Sequence, residues 1–257
     1  MFCLTRAHYS AMACSAVLAL AGCGGGGDST ANANSLSAEG VYSGNLTGGG
    51  SGNFQMLILE NNEVWAMYGT QATNQFLVAG FVQGAGSASN GSYSSANIRD
   101  FGVNPAASGT ASAAYNNSTK KISGTLFIGG KSIAFSGGPV ASSLYNYDTS
   151  ASVSTVSGAW SLTSLAGESI ALNIASNGTF SATSNSGCTF SGTLVPRPSG
   201  KNVLNMTMTF GAAPCALPGQ SATGIALSYP LSTGQTQLIL AGYNSDRTVG
   251  AAAFGTR

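Results

Sequence analysis

From Gly40 onward the chain is written in short runs where apolar and polar residues alternate, separated by Gly, Asn, Ser and Thr. Period-two alternation puts successive side chains on opposite faces of an extended backbone, and no useful window carries the 3.6-residue apolar period of a helix. Phe54, Met56 and Ile58 share one face of a strand near Asn53 to Glu60, while Leu57 and Leu59 make its other face apolar as well. Asn61-Asn62 supplies residues for the positive-φ positions of a tight turn, and Val64, Ala66 and Tyr68 return in register. Ile170, Leu172 and Ile174 lead into Asn177-Gly178, a strong short-range hairpin signal, with Phe180 and Ala182 beyond it. Leu204, Met206, Met208 and Phe210 point inward between Asn205, Thr207 and Thr209. Ile225, Leu227 and Tyr229 repeat that pattern, and Thr233-Gly234 turns the chain into Leu238 and Leu240.

About eight such runs precede residue 137, starting near Val41, Asn53, Glu63, Gln75, Gly91, Gly109, Lys121 and Lys131. About eight more follow residue 157, starting near Gly158, Ser169, Gly178, Gly187, Asn202, Gly224, Thr236 and Arg247. The two sets open alike, with Gly40-Val41-Tyr42-Ser43-Gly44 and Gly158-Ala159-Trp160-Ser161. The prediction is an all-β chain of two antiparallel eight-stranded barrel-like units in tandem, over 39–137 and 157–257, joined by a Ser-rich linker at 138–156. Closure into a barrel removes the exposed edges of strands joined by short turns. Alternation alone leaves paired β-sandwiches open as the other arrangement.

The N-terminus is written differently. An apolar run from Ala11 to Ala21, broken by Ser15 and preceded by Arg6, has the length of a secretory h-region and is too short for a permanent membrane span. It ends in Leu20-Ala21-Gly22-Cys23, followed by four glycines. These residues resemble the lipobox of bacterial lipoproteins, which implies removal of residues 1–22 and a diacylglycerol on Cys23. In that family Asp after the cysteine favours retention at the inner membrane; Gly24 stands here, so the resemblance implies lipid anchoring at the outer membrane. Several acyl chains on one cysteine anchor a protein without a transmembrane helix. Residues 23–38, almost without apolar content, read as a flexible tether to the folded body.

Processing changes the remaining arithmetic. It removes Arg6, His8, Cys3 and Cys14, leaving eight basic and eight acidic residues and no histidine. Only 7% of the chain is charged, against roughly 25% in ordinary domains, so solvation falls to neutral polar side chains. Such a surface does not attract nucleic acid. The 43% hydrophobic content argues for a packed core rather than disorder. With Cys23 acylated, Cys188 and Cys215 remain, and an oxidising periplasm favours a disulfide between them over two buried thiols.

Chemistry is sparse. Without histidine the Ser-His-Asp and Cys-His arrangements are unavailable, and two thiols do not complete a zinc shell, so no catalytic residue, cofactor or metal site is assigned. Glu60 and Glu63 bracket a hairpin tip, where both are expected to be solvated rather than tuned as an acid-base pair. Asp246-Arg247 and Lys120-Lys121 read as charged turn tips, and Gly84-Ala85-Gly86 as strand punctuation without the rest of a dinucleotide fingerprint. Trp65, Tyr68, Phe76 and Phe81 read as core and rim packing, with a ligand platform as the sharper alternative.

Two wider likenesses accompany this layout. Ser108-Gly109-Thr110-Ala111-Ser112-Ala113-Ala114-Tyr115 and Lys120-Lys121-Ile122-Ser123-Gly124-Thr125-Leu126 resemble paired strands of surface lipoproteins of the transferrin-binding-protein-B-like and factor-H-binding type. This chain has far fewer charges than those proteins, and no partner-binding residue carries over. Gly158-Ala159-Trp160 and Gly187-Cys188 faintly resemble META-type lipoprotein domains. The functional expectation is a non-catalytic, outer-membrane-anchored surface binding module for a host or envelope protein. The alternatives are a periplasm-facing carrier of a small apolar ligand and a structural envelope component. An open apolar lumen would favour the carrier, and a filled one the surface module.

Overall fold

Residues 37–48, 50–73 and 75–257 are described by the computed structural model. The segment expected to be a signal peptide, Cys23 and nearly all of the expected tether lie outside the described residues. Sixteen strands build two closed antiparallel barrels in tandem. The first contains β1 (Gly40–Gly48), β2 (Gly52–Ile58), β3 (Glu63–Gln71), β4 (Phe76–Ser89), β5 (Ser92–Asp100), β6 (Ala107–Asn116), β7 (Lys121–Ile128) and β8 (Lys131–Pro139). The second contains β9 (Gly158–Ser164), β10 (Ser169–Ile174), β11 (Thr179–Ser184), β12 (Thr189–Pro196), β13 (Leu204–Phe210), β14 (Ser221–Pro230), β15 (Thr236–Asn244) and β16 (Gly250–Thr256). Each strand pairs with its neighbours in sequence, and each barrel closes on itself. Leu46 of β1 faces Phe135 of β8, and Phe254 of β16 faces Thr163 of β9. The barrel reading of the alternation is therefore right and the sandwich reading is excluded.

Local chemistry explains the compact hairpins. Five of them use a three-residue loop whose last residue, Asn62, Gly167, Gly178, Gly187 or Gly234, has positive φ. The residue before each loop donates its N–H to the carbonyl of the residue after it, as Leu59 does to Glu63 at 2.8 Å. At the first hairpin only Asn62, not the pair Asn61-Asn62, is left-handed, because the loop has three residues rather than two.

Both barrels begin with one device. Gly40 (φ 151°) and Gly158 (φ 107°) turn the chain in, and the aromatic two residues later closes the barrel end behind it. The Tyr42 hydroxyl donates to the Ala38 carbonyl at 2.6 Å, and Trp160 Nε1 donates to the Val156 carbonyl at 2.7 Å. Burial pushes the Tyr42 hydroxyl up to about 12, helped by Tyr115 and Glu39 nearby, so it remains a donor. Arg257 lies over the Trp160 ring, 4.1 Å from its centroid.

Three apolar cores result, one in each lumen and a third between the barrels. The third is formed by Leu57, Leu59, Trp65, Met67, Phe76 and Phe81 of the first barrel against Ile225, Ile239 and Phe254 of the second. Here the sequence reading of β14 needs correction. Ile225, Leu227 and Tyr229 face the first barrel rather than their own lumen, which receives Ala222 and Ala226 instead. The segment expected to be a mere linker also contributes, burying Tyr145 and Tyr147 in this junction.

Polar groups lock the junction. Fully buried Gln237 accepts the Phe76 N–H at 3.0 Å and donates to the Phe76 carbonyl at 2.9 Å. Arg247, expected at a solvated tip, instead reaches the first barrel and donates to Gln83 Oε1 at 2.7 Å and to the Asn97 carbonyl at 3.1 Å. Its guanidinium also lies over Tyr243, which stacks on Trp65 and Phe101 with centroids 5.5 Å away in each case. Glu60 is likewise not a free tip, because Arg197 Nε reaches it at 2.8 Å. Burial opposes ionisation of Glu60, but hydrogen bonding and charge from Arg197 outweigh that and hold the carboxyl below its usual range. Glu63 accepts from Trp65 Nε1 at 3.0 Å and from Gln83 Nε2 at 2.9 Å. Arg247 and the Glu60–Arg197 pair thus fasten one barrel to the other.

Candidate functional site

The lumen of the first barrel is the candidate site, and small side chains create it. Along β6 the inward positions are Ala107, Gly109, Ala111 and Ala113, and β3 adds Ala66. Across the lumen stand Phe54 and Met56 of β2, while Leu126 of β7 and Ile133 and Phe135 of β8 flank the small-residue wall. An eight-stranded barrel is just wide enough for its inward side chains to meet, so a row of alanines on one wall leaves open space. The cavity measures about 400 Å³. Tyr42, Tyr93, Tyr115 and Ile122 are buried toward the end of the barrel where the N-terminal segment arrives. At the opposite end the lining includes Leu46, Ser51, Val103, Gly129 and Lys131, which belong to or flank the loops after β1, β5 and β7. Val103 is half exposed at this mouth.

One polar pair interrupts the apolar wall. The Tyr68 hydroxyl donates to Asp100 Oδ1 at 2.8 Å, and the same oxygen accepts the Gly102 N–H at 2.8 Å. Burial raises the tyrosine pKa, and the Asp100 charge and hydrogen bond add to the rise. The phenol therefore stays protonated and has no role as a base. A Cβ at Gly80 or Gly102 would overlap the Tyr68 hydroxyl, so these glycines make room for its ring at the cavity wall. The arrangement holds an apolar body and offers one oriented carboxylate-phenol pair beside it. It contains no nucleophile paired with a base.

The second lumen is filled. Trp160, Leu162, Leu172, Phe180, Leu194, Met206, Met208 and Phe210 are all buried there. One end is covered by the loop between β13 and β14, where Leu217 packs into the core and Cys215 is bonded to Cys188 just before β12. The sequence-predicted disulfide is present, and its role is to hold this cover over the core.

The other sequence candidates disperse. Of the aromatic quartet, Tyr68 lines the lumen while Trp65, Phe76 and Phe81 join the inter-barrel core. Gly84-Ala85-Gly86 lies in β4 beside a register shift between Ala85 and Ser87. Among the described residues no three metal-ligating side chains come together, and no helix is long and apolar enough to cross a membrane. The small-residue face of β6 was missed, although its signal is visible as alanine and glycine at every second position from 107 to 113.

No protein-family model matches this chain, and no curated protein does. Among solved structures it is similar to a protein of unknown function from the DUF3598 family of Nostoc punctiforme. That likeness has 11% sequence identity and a TM-score of 0.25, covering 85% of this chain and 94% of the other.

Proposed function

We propose that this chain is a non-catalytic carrier of a small apolar ligand, held in the first barrel and tethered to the outer membrane through acylated Cys23. The supporting observation is the 400 Å³ apolar lumen, of a size that encloses a small molecule. A surface interaction module has no use for an empty barrel, whereas a carrier needs one. The second barrel, packed solid, serves as the partner against which the first barrel rests.

Native mass spectrometry of the protein purified gently from bacterial envelopes is the direct test. The expected result is a non-covalent adduct of small-molecule mass, lost in Ala111→Phe, which fills the lumen. Adduct-free wild-type protein that also takes up no N-phenyl-1-naphthylamine would return the reading to a surface module. The anchor is tested separately by azido-palmitate labelling, with incorporation expected in the wild type and none in Cys23→Ala.

A further inference from the structure

A second cavity, of about 480 Å³, lies between the barrels and outside both lumens. Three separate stretches build it: the outer faces of β1 to β3, the 140–145 segment, and the turn from β14 to β15. Its apolar floor includes Leu57, Met67, Phe76 and Ile239, and none of its lining residues carries a charge. At its back the Tyr229 hydroxyl lies 2.9 Å from Gln237 Oε1 and 3.2 Å from Gln55 Oε1. One hydroxyl has one proton to give, and the shorter contact takes it to Gln237 Oε1, which accepts the Phe76 N–H with its other lone pair. Gln55 therefore meets Tyr229 with one end of its amide, and the other end has no partner among the described residues. That unused donor or acceptor stands in an uncharged, mainly apolar cleft whose lining also includes the neutral polar residues Ser43, Asn45, Asn53, Gln71 and Thr73.

We propose that this cleft is a second binding site, selective for an uncharged amphiphile with an apolar body and one hydroxyl, carbonyl or amide group. The apolar body lies along Leu57, Met67 and Ile239, and the polar group completes the hydrogen bonding of Gln55 and Tyr229. A charged ligand would lose its hydration against a wall offering no counter-charge, and is rejected. The site is distinct from the lumen although β2 separates them by one strand layer, since Phe54 and Met56 line both cavities. Ala111 lines only the lumen and Ser43 only the cleft, so each can be filled separately.

Fluorescence titration with Nile red, a neutral dye carrying a carbonyl, tests this in a Cys23→Ala background where no acyl chain takes up dye. The expected stoichiometry is about two dyes per chain, falling to about one in Ala111→Phe and to about one in Ser43→Phe. Within the Ala111→Phe background, Gln55→Leu weakens the remaining site about five- to tenfold. Loss of all binding in Ala111→Phe alone overturns the cleft site and leaves the lumen reading intact. Loss of all binding in Ser43→Phe, with Ala111→Phe silent, keeps the cleft and removes the lumen reading. An unchanged affinity in Gln55→Leu overturns the assigned polar contact. Retained dye binding in the lumen certifies that Ser43→Phe is folded; if it is not, Asn45→Trp at the cleft rim takes its place.

Discussion

The two barrels share strand number, topology and a matching opening device, yet a cavity opens in one lumen while large side chains crowd the other. The difference lies in the inward positions of a few strands. In the second barrel β13 sends Leu204, Met206, Met208 and Phe210 inward; in the first, β6 sends Ala107, Gly109, Ala111 and Ala113. Backbone hydrogen bonding is satisfied by closure in both, so closure does not require a filled interior. Filling is a separate choice, made by side-chain volume on one wall. The first barrel gives up dispersion contacts to stay open and leans on the junction core instead.

The largest expected break is in the solid barrel. Phe180→Ala removes a buried ring and is expected to cost about 3–5 kcal/mol, read from urea denaturation. The matching change in the hollow barrel, Met56→Ala, enlarges a cavity that already exists. A cost above that of Phe180→Ala would show that the first lumen is not hollow in solution.

Next in size is the disulfide cover. Cys188→Ala/Cys215→Ala opens a loop spanning 27 residues, for about 3.5 kcal/mol on the chain-entropy model. The loss should be confined to the second barrel, so hydrogen exchange is expected to rise around β12 and β13 while β6 stays protected. Uniform loosening of both barrels would refute independent lumens.

The sharpest comparison uses one exchange twice. Ala226→Leu inserts volume into the solid lumen and is expected to destabilise by about 1–3 kcal/mol. Ala111→Leu inserts the same volume into open space and is expected to be neutral or stabilising by up to about 1 kcal/mol. Thermal melting of the two variants decides it, and equal costs would end the distinction.

The smallest effect is the Glu60 to Arg197 link. Since the Glu60 carboxyl lies below its usual range, its contribution is present above the unfolded glutamate value and is lost as the pH falls through the folded one. The side chain is about one-third exposed, so the worth is below about 1 kcal/mol. Glu60→Gln should flatten that part of the acid stability curve and leave stability at neutral pH nearly unchanged.

What the sequence revealed follows the same physics. Strand positions were legible because a half-buried strand alternates, and every predicted start lies within a few residues of an observed one. Orientation was legible only where one face is polar. Leu204 to Phe210 alternates with Asn and Thr, so its inward face was plain. Ile225 to Tyr229 alternates with small residues, and the larger face was read as inward when it belongs to the junction. Arg247 and Glu60 looked like solvated tips because a charge beside a turn says nothing about a second domain resting on it. The cavity was hardest to foresee, since it is a difference between enclosed volume and side-chain volume.

The outward apolar face of the first barrel also has a temporal meaning. Translation delivers β1 to β8 before β14 to β16 exist, so Leu57, Trp65, Met67, Phe76 and Phe81 emerge with nothing to cover them. The Phe76 peptide likewise waits for Gln237, which arrives 161 residues later. During that interval the nascent half is adhesive. Nonsense or frameshift products ending in the linker would therefore be released as aggregation-prone fragments rather than as working half-proteins.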